Sequence, residues 1–289
     1  MISIGDVPVV PEDFPDGTQK IDLPLEAMYR EITESKTVYI TWLYESDKEL
    51  FSLYCISKNI RERFPQLQQD LMMPYIPNAR FDRVKYSNEC FTLKYFAEII
   101  NSLGFVRVIV TDPHSDVSTA LINHVEVIRG ASYITQACNK VLKAEPSRNL
   151  VIYFPDSGSL KRYSEFVSDD YPIVYGIKNR DWKTGEILGI EIHGDTEKLD
   201  ENTAILMIDD ICSKGGTFYY GSKELNKYGC KDMYLYVSHC ENTILDGELL
   251  KEDSLFKKVY TTRSIFTKQF MLKCYQKVLQ NLFLILLHV

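Results

Sequence analysis

The stretch ILMIDDICSKGGTF at residues 205–218 constrains this chain more than any other: an apolar run ends in two adjacent acids and then a glycine pair. Four consecutive apolar residues, Ile205 to Ile208, suit a strand buried on both faces of a parallel sheet. Asp209 and Asp210 then emerge at the strand's carboxyl end, where open α/β sheets bind their ligands. Two carboxylates placed there can accept hydrogen bonds from two neighbouring sugar hydroxyls. Ser213, Lys214, Gly215, Gly216 and Thr217 follow at once. Glycines let the main chain curl closely around an anion, and the amides that open the next helix supply donors together with the Thr217 hydroxyl and the Lys214 ammonium. One element thus predicts a grip on both ends of a ribose 5-phosphate. The bland alternative is a buried strand followed by a polar turn and an ordinary helix cap. The glycine-to-lysine spacing is not that of a Walker A loop.

A chain of 289 residues is long enough for two domains of ordinary size, each with its own core. The net charge of −7 argues against a general nucleic-acid surface, which presents a broad basic face. Seven cysteines occur without a C-x-x-C pair or metal-ligand spacing, which reads as reduced thiols in a cytoplasmic protein. The first residues show no basic start and no apolar core of signal length. The apolar run LFLILLHV at 282–289 falls short of the roughly 20 residues of a membrane span and is expected to dock as a helix or strand in a core. Neither nucleic acid nor membrane is therefore expected as a partner.

Alternation of strand-like and helix-like segments organises the rest. TVYITWLY at 37–44 is β-branched and aromatic, as strands are. Ser46 and Glu49 then stand at capping-box spacing, and Leu50, Leu53, Tyr54, Ser57, Ile60 and Phe64 recur at helical period. Strand-like residues 70–76, a helix near 89–103 and the strand 106–112 continue a βα repeat with a parallel sheet. A second alternation runs through a helix at 131–144, a strand at 150–154, a helix at 158–167 and a strand at 172–177. The fold class expected is α/β, with two similar domains, 1–130 and 131–289, each a largely parallel sheet flanked by helices. Residues 178–202 read as a polar excursion containing one short strand near 187–192. Long excursions of this kind are often active-site lids, and a solvated hairpin is the plain alternative.

The 205–218 segment resembles the phosphoribosyl-pyrophosphate loop shared by type I phosphoribosyltransferases and ribose-phosphate pyrophosphokinases, the PRPP synthetases. Further blocks resemble the pyrophosphokinases, in the same order, over most of residues 14–262. MPYIPNARFDR at 73–83 is similar to their ATP-contacting segment, TDPHS at 111–115 to their histidine-bearing strand end, and FPDSGSLKR at 154–162 to their loop before a helix. GIKNRD at 176–181 is similar to the base of their mobile catalytic loop, and YVSHC at 236–240 to a late strand. The resemblance implies a type I phosphoribosyltransferase-like fold and transfer of the β,γ-diphosphoryl group of ATP, with magnesium, to the anomeric hydroxyl of ribose 5-phosphate. It also implies a homo-oligomer whose ATP sites cross subunit boundaries.

Site residues follow from the matched positions. Lys178 and Arg180 match the K-x-R of the catalytic loop and are expected to stabilise the transition state, one as a movable point charge and one as a planar fork. His114 and Asp156 match residues that lie by the metal and the ATP phosphates, and each is a plausible magnesium-shell group. Arg80 matches a nucleotide contact, Arg83 falls on the same segment, and Phe81 stands where glutamine is usual, favouring stacking on the base. FPDGT at 14–18 resembles the family's FANGE turn, which makes Phe14 and Asp16 candidates for the adenine pocket of a neighbouring subunit. His239 ends another strand and is read as structural.

The ribose loop departs from the family pattern. Ser213 and Lys214 replace the aspartate and threonine of D-D-x-x-D-T-x-G-T, so a carboxylate near the anomeric centre is lost and a cation enters. That change suits an acceptor carrying more phosphate, such as ADP-ribose, and the loop is similar to a phage-associated branch of synthetase-like proteins in NAD salvage. In that setting the location would be a host's cytoplasm. The segment after 262 is shorter than usual, which bears on allosteric and subunit contacts. Two other readings stay open: a phosphoribosyltransferase using PRPP and a nucleobase, and a non-catalytic regulatory subunit associated with a synthetase.

Overall fold

In a computed structural model the chain forms two compact units, Met1–Ile128 and Arg129–Val289, treated separately below. The structure describes residues 1–26, 28–29, 33, 36–180, 187–265 and 283–287, with backbone alone for 178–180, 187–188 and 283–286.

Unit 1 is built on β1 (Ile2–Ile4), β2 (Val7–Val9), a small hairpin of β3 (Glu12–Asp13) and β4 (Gln19–Lys20), β5 (Thr37–Trp42), α1 (Lys48–Arg63), β6 (Gln68–Met72), α2 (Thr92–Ser102), β7 (Arg107–Thr111), α3 (Asp116–Leu121) and β8 (Val125–Ile128). Its main sheet has the order β2-β1-β5-β6-β7-β8. The expected parallel βα repeat spans β5 to β8. Strands β1 and β2 extend it antiparallel, with Ile4 opposite Ile40, which sequence reading did not foresee. Val38, Ile40 and Trp42 alternate into the core beneath Leu53, Ile56 and Ile60 of α1, as period-2 and period-3.6 patterns require.

The Ser46–Glu49 capping box does not form. The helix is capped at Asp47 without a side-chain bond. Glu49 instead accepts the Trp42 indole N–H at 3.0 Å and the Glu45 amide at 2.8 Å. A buried indole needs an acceptor, and Glu49 is the carboxylate that supplies it. The expected strand at 70–76 is also shifted, since β6 pairs with β5 only over Gln68–Met72.

Unit 2 continues with α4 (Ala131–Ala144), β9 (Asn149–Phe154), α5 (Ser157–Tyr163), β10 (Ile173–Arg180), β11 (Ile187–Gly194), β12 (Thr203–Cys212), α6 (Gly216–Asn226), β13 (Asp232–Cys240), β14 (Phe256–Thr261) and β15 (Phe283–Leu286). The sheet order is β11-β10-β9-β12-β13-β14-β15, parallel throughout except for the β10–β11 hairpin. Both sheets are therefore mostly parallel and flanked by helices, the α/β class read from the alternation. The apolar terminal run takes the strand alternative, pairing parallel to β14. The polar excursion is a hairpin at its base: Lys178 stands opposite Ile190 and Arg180 opposite Ile187. No helix of the described residues is long and apolar enough to cross a membrane.

Candidate active site

Strand β12 is the central rod of unit 2, hydrogen-bonded to β9 on one side and β13 on the other. Ile205, Leu206, Met207 and Ile208 are completely buried, as a strand covered on both faces should be. The strand does not stop at the acids. Its ladder to β13 runs on through Ile211 opposite His239 and Cys212 opposite Cys240, so Asp209 and Asp210 sit on regular strand just past the last β9 pairing, Met207 with Tyr153. His239 is buried, with its Nδ1 2.8 Å from the Ser264 hydroxyl, a structural anchor for the neighbouring strand.

The two carboxylates act on each other. Burial, and after it the charge of Asp210, pushes the Asp209 carboxyl well above the usual carboxylate range; the charge of Asp156 adds to this, while the Asp210 amide, donating to Asp209 Oδ1 at 2.9 Å, opposes it. Asp210 is itself only 6 % exposed, and its Oδ2 lies 3.8 Å from Arg162 Nη1.

Beyond Cys212 the chain turns through Ser213 and the exposed Lys214 into α6. Gly215 takes a left-handed conformation, φ 78° and ψ 10°, that costs an L side chain energy and glycine none. Gly216 and Thr217 open α6, and the first amides of a helix are donors suited to an anion. A segment far along the chain braces the loop: the Glu248 amide donates to the Lys214 carbonyl oxygen at 2.7 Å, and Leu249 fills the space where a Gly215 Cβ would lie. Nothing in the local sequence signalled that brace.

Asp156 opens α5 with a complete capping box, its Oδ1 accepting the Gly158 and Ser159 amides at 3.1 Å each. It is thus a helix cap and an electrostatic neighbour of Asp209 at once. Tyr153, on the strand before it, is fully buried, and its hydroxyl finds no hydrogen-bond partner among the described residues. Glycine at 176 and 221 makes room for that hydroxyl, since a Cβ at either position would crowd it. Sequence reading missed both Tyr153 and Arg162, although Arg162 closes the FPDSGSLKR block.

Among the described residues no cluster of three or more His, Cys, Asp or Glu side chains encloses a metal position. Magnesium needs no such cage, because it keeps several waters and takes one or two carboxylates with substrate phosphates. Asp156, Asp209 and Asp210 are carboxylates of the kind such a cation takes.

The remaining candidates lie elsewhere. In unit 1, His114 is half-buried in the loop between β7 and α3. That loop begins at Asp112, whose φ of 41° turns the chain and whose amide donates to Ile128 at 2.9 Å. Arg80 and Arg83 are exposed, and Phe81 packs edge-on against Phe91 at 6.3 Å between centroids. Phe14 is half exposed, and Asp16 takes the Thr18 amide at 2.9 Å and hydroxyl at 2.7 Å at the tip of the β3–β4 hairpin. The side chains of Lys178 and Arg180 lie outside the described residues; their backbone ends β10.

No family model matches the chain. It is 25 % identical over 241 residues to the ribose-phosphate pyrophosphokinase of Saccharolobus solfataricus, covering 83 % of this chain and 78 % of that one. To the enzyme of the same name from Prochlorococcus marinus it is 26 % identical over 266 residues, covering 91 % of this chain and 77 % of the other. Among solved structures, phosphoribosylpyrophosphate synthetase from Mycobacterium smegmatis superposes with a TM-score of 0.70 at 17 % identity, over 97 % of this chain and 87 % of that one, a likeness of fold. The resemblance read from the ordered motifs is therefore present along most of the chain.

Proposed function

We propose that this chain, similar over most of its length to ribose-phosphate pyrophosphokinases, transfers the β,γ-diphosphoryl group of ATP to the anomeric hydroxyl of ribose 5-phosphate, or of a larger acceptor built on it such as ADP-ribose, and releases AMP. The observation that carries this reading is that likeness, coupled to an aspartate pair and glycine loop at the end of β12. In the reaction the anomeric oxygen bonds to the β-phosphorus, the bond from that phosphorus to the α,β-bridging oxygen breaks, AMP leaves with the electron pair and the hydroxyl proton is released. Such chemistry asks a protein chiefly for orientation and charge stabilisation.

Asp209 and Asp210 would take the acceptor's sugar hydroxyls. The amides opening α6, with Ser213, Thr217 and Lys214, would hold its 5′-phosphate. Lys178 and Arg180 would meet the charge of the transferring group, and Arg80, Arg83, Phe81, Phe14 and Asp16 would serve ATP. His114 and Asp156 keep the metal-directed roles that their motifs imply; magnesium, when bound, would neutralise phosphate charge. A location in the cytoplasm and assembly with further copies of the chain accord with this reading.

Lys214 favours the larger acceptor: it is exposed and meets no carboxylate among the described residues, so its charge would be available to a further phosphate. The test is incubation with ATP and magnesium in the presence of ribose 5-phosphate or ADP-ribose, with products identified by mass spectrometry and AMP quantified. Gain of a diphosphate on one acceptor is the expected result and selects between them. No AMP with either acceptor overturns the proposal and returns weight to a transferase, tested with PRPP and nucleobases, or to a regulatory subunit.

A further inference from the structure

Arg162 lies six residues after Asp156, at the far end of the short helix α5 from that cap. Its guanidinium carbon stands 5.2 Å from the ring centre of Tyr163, a ring with no exposure that is itself packed at 6.4 Å on Phe166. Arg162 is three-quarters buried, and one of its nitrogens is 3.8 Å from Asp210 Oδ2. Asp209 precedes Asp210 on β12, and its Oδ1 accepts the Asp210 amide at 2.9 Å. Adjacent carboxylates repel, so an uncompensated pair is pushed out of place as a set of acceptors. A planar cation fixed on an aromatic face opposes that displacement.

We propose that Arg162 is a positioning residue that makes the aspartate pair a reader of the acceptor's cis-diol, by holding the Asp210 carboxylate in place. The inference rests on the acceptor-binding reading above. A site committed to a hydroxyl discriminates strongly against an acceptor lacking it, because its buried acceptor is then left unpaired. Loosening Asp210 lowers that cost and relaxes specificity before it abolishes the reaction.

The experiment compares kcat/KM for the acceptor that wild type uses with that for its deoxy form: ribose 5-phosphate against 2-deoxyribose 5-phosphate, or ADP-ribose against 2″-deoxy-ADP-ribose. Arg162→Gln is expected to cut the discrimination about tenfold, with the acceptor KM raised and the ATP KM unchanged; Arg162→Lys retains most of it. A purely structural role would move both KM values together and leave the ratio alone. Because a three-quarters-buried arginine can be costly to replace, Asp210→Asn and the double variant Arg162→Gln/Asp210→Asn complete a cycle, and the two are expected to discriminate equally. Unchanged discrimination in Arg162→Gln, or a double variant clearly worse than Asp210→Asn, overturns the proposal. Absence of turnover in wild type with either acceptor would instead strike at the proposed function.

Discussion

The backbone N–H of Glu248 donates to the carbonyl oxygen of Lys214 at 2.7 Å, tying the turn between β12 and α6 to a segment more than thirty residues downstream. Gly247 sits directly against that carbonyl, with no room for a Cβ. Gly247→Ala must therefore displace the turn, and it is expected to weaken acceptor binding about tenfold, or about 1.4 kcal/mol, with ATP binding unaltered. Calorimetric titration with each ligand checks this.

Lys178→Ala should depress turnover by a factor on the order of 10² to 10³, the scale of losing one transition-state charge contact, while the ATP KM stays within about twofold. An interaction made mainly in the transition state lowers kcat without weakening ground-state binding. Steady-state kinetics decide it, and full turnover in the variant would remove Lys178 from the mechanism.

Thiol reactivity should follow burial. Burial pushes the Cys138 and Cys230 thiols up to about 11 and the Cys212 thiol higher still, so near neutral pH they hold almost no reactive thiolate. Cys90 is exposed. Brief treatment of the native protein with N-ethylmaleimide, followed by peptide mass mapping, should label Cys90 while sparing Cys138, Cys212 and Cys230. Early labelling of Cys212 would mean that β12 opens at the site end.

A charged cluster on unit 2 predicts an acid-dependent loss of stability. Burial tends to raise the Glu145 carboxyl, but bonds from Lys257 and Tyr234 and the charges of Lys257 and Arg148 together outweigh it, leaving it below its ordinary 4.5. Lys257 also pairs with Asp232 at 2.6 Å. A depressed carboxyl contributes stability that is full above its unfolded value and disappears as pH falls through the folded one. Lys257→Met should therefore lower Tm at about pH 6.5, with the gap from wild type narrowing towards about pH 3.5. Thermal unfolding monitored by circular dichroism at the two pH values tests the sign.

What could be read locally was read well. The run Ile205–Ile208 declared a strand covered on both faces, and helical spacing from Leu50 onwards declared α1. The mistakes arose where one side chain had two local uses. Glu49 has capping-box spacing from Ser46, yet the Trp42 indole takes it, and no spacing rule ranks a cap against a buried donor. Strand β12 likewise outran its apolar stretch, because its ladder to β13 carries Asp209 and Asp210 as ordinary strand residues. Of the site itself, the aspartate pair and the glycine turn were legible, whereas Arg162, Tyr153 and the Gly247–Leu249 brace were not.

By itself the sequence determined the alternation of strands and helices, the parallel character of both sheets and the turn of Gly215 and Gly216 between β12 and α6, because each is written in contiguous residues whose periodicity and turn chemistry act over a few positions. Only the tertiary structure decided that β1 and β2 join the first sheet antiparallel, that Arg162 stands beside Asp210 and that Glu248 holds Lys214. Those partners lie tens of residues apart, and their meeting depends on how whole elements pack, which no local pattern encodes.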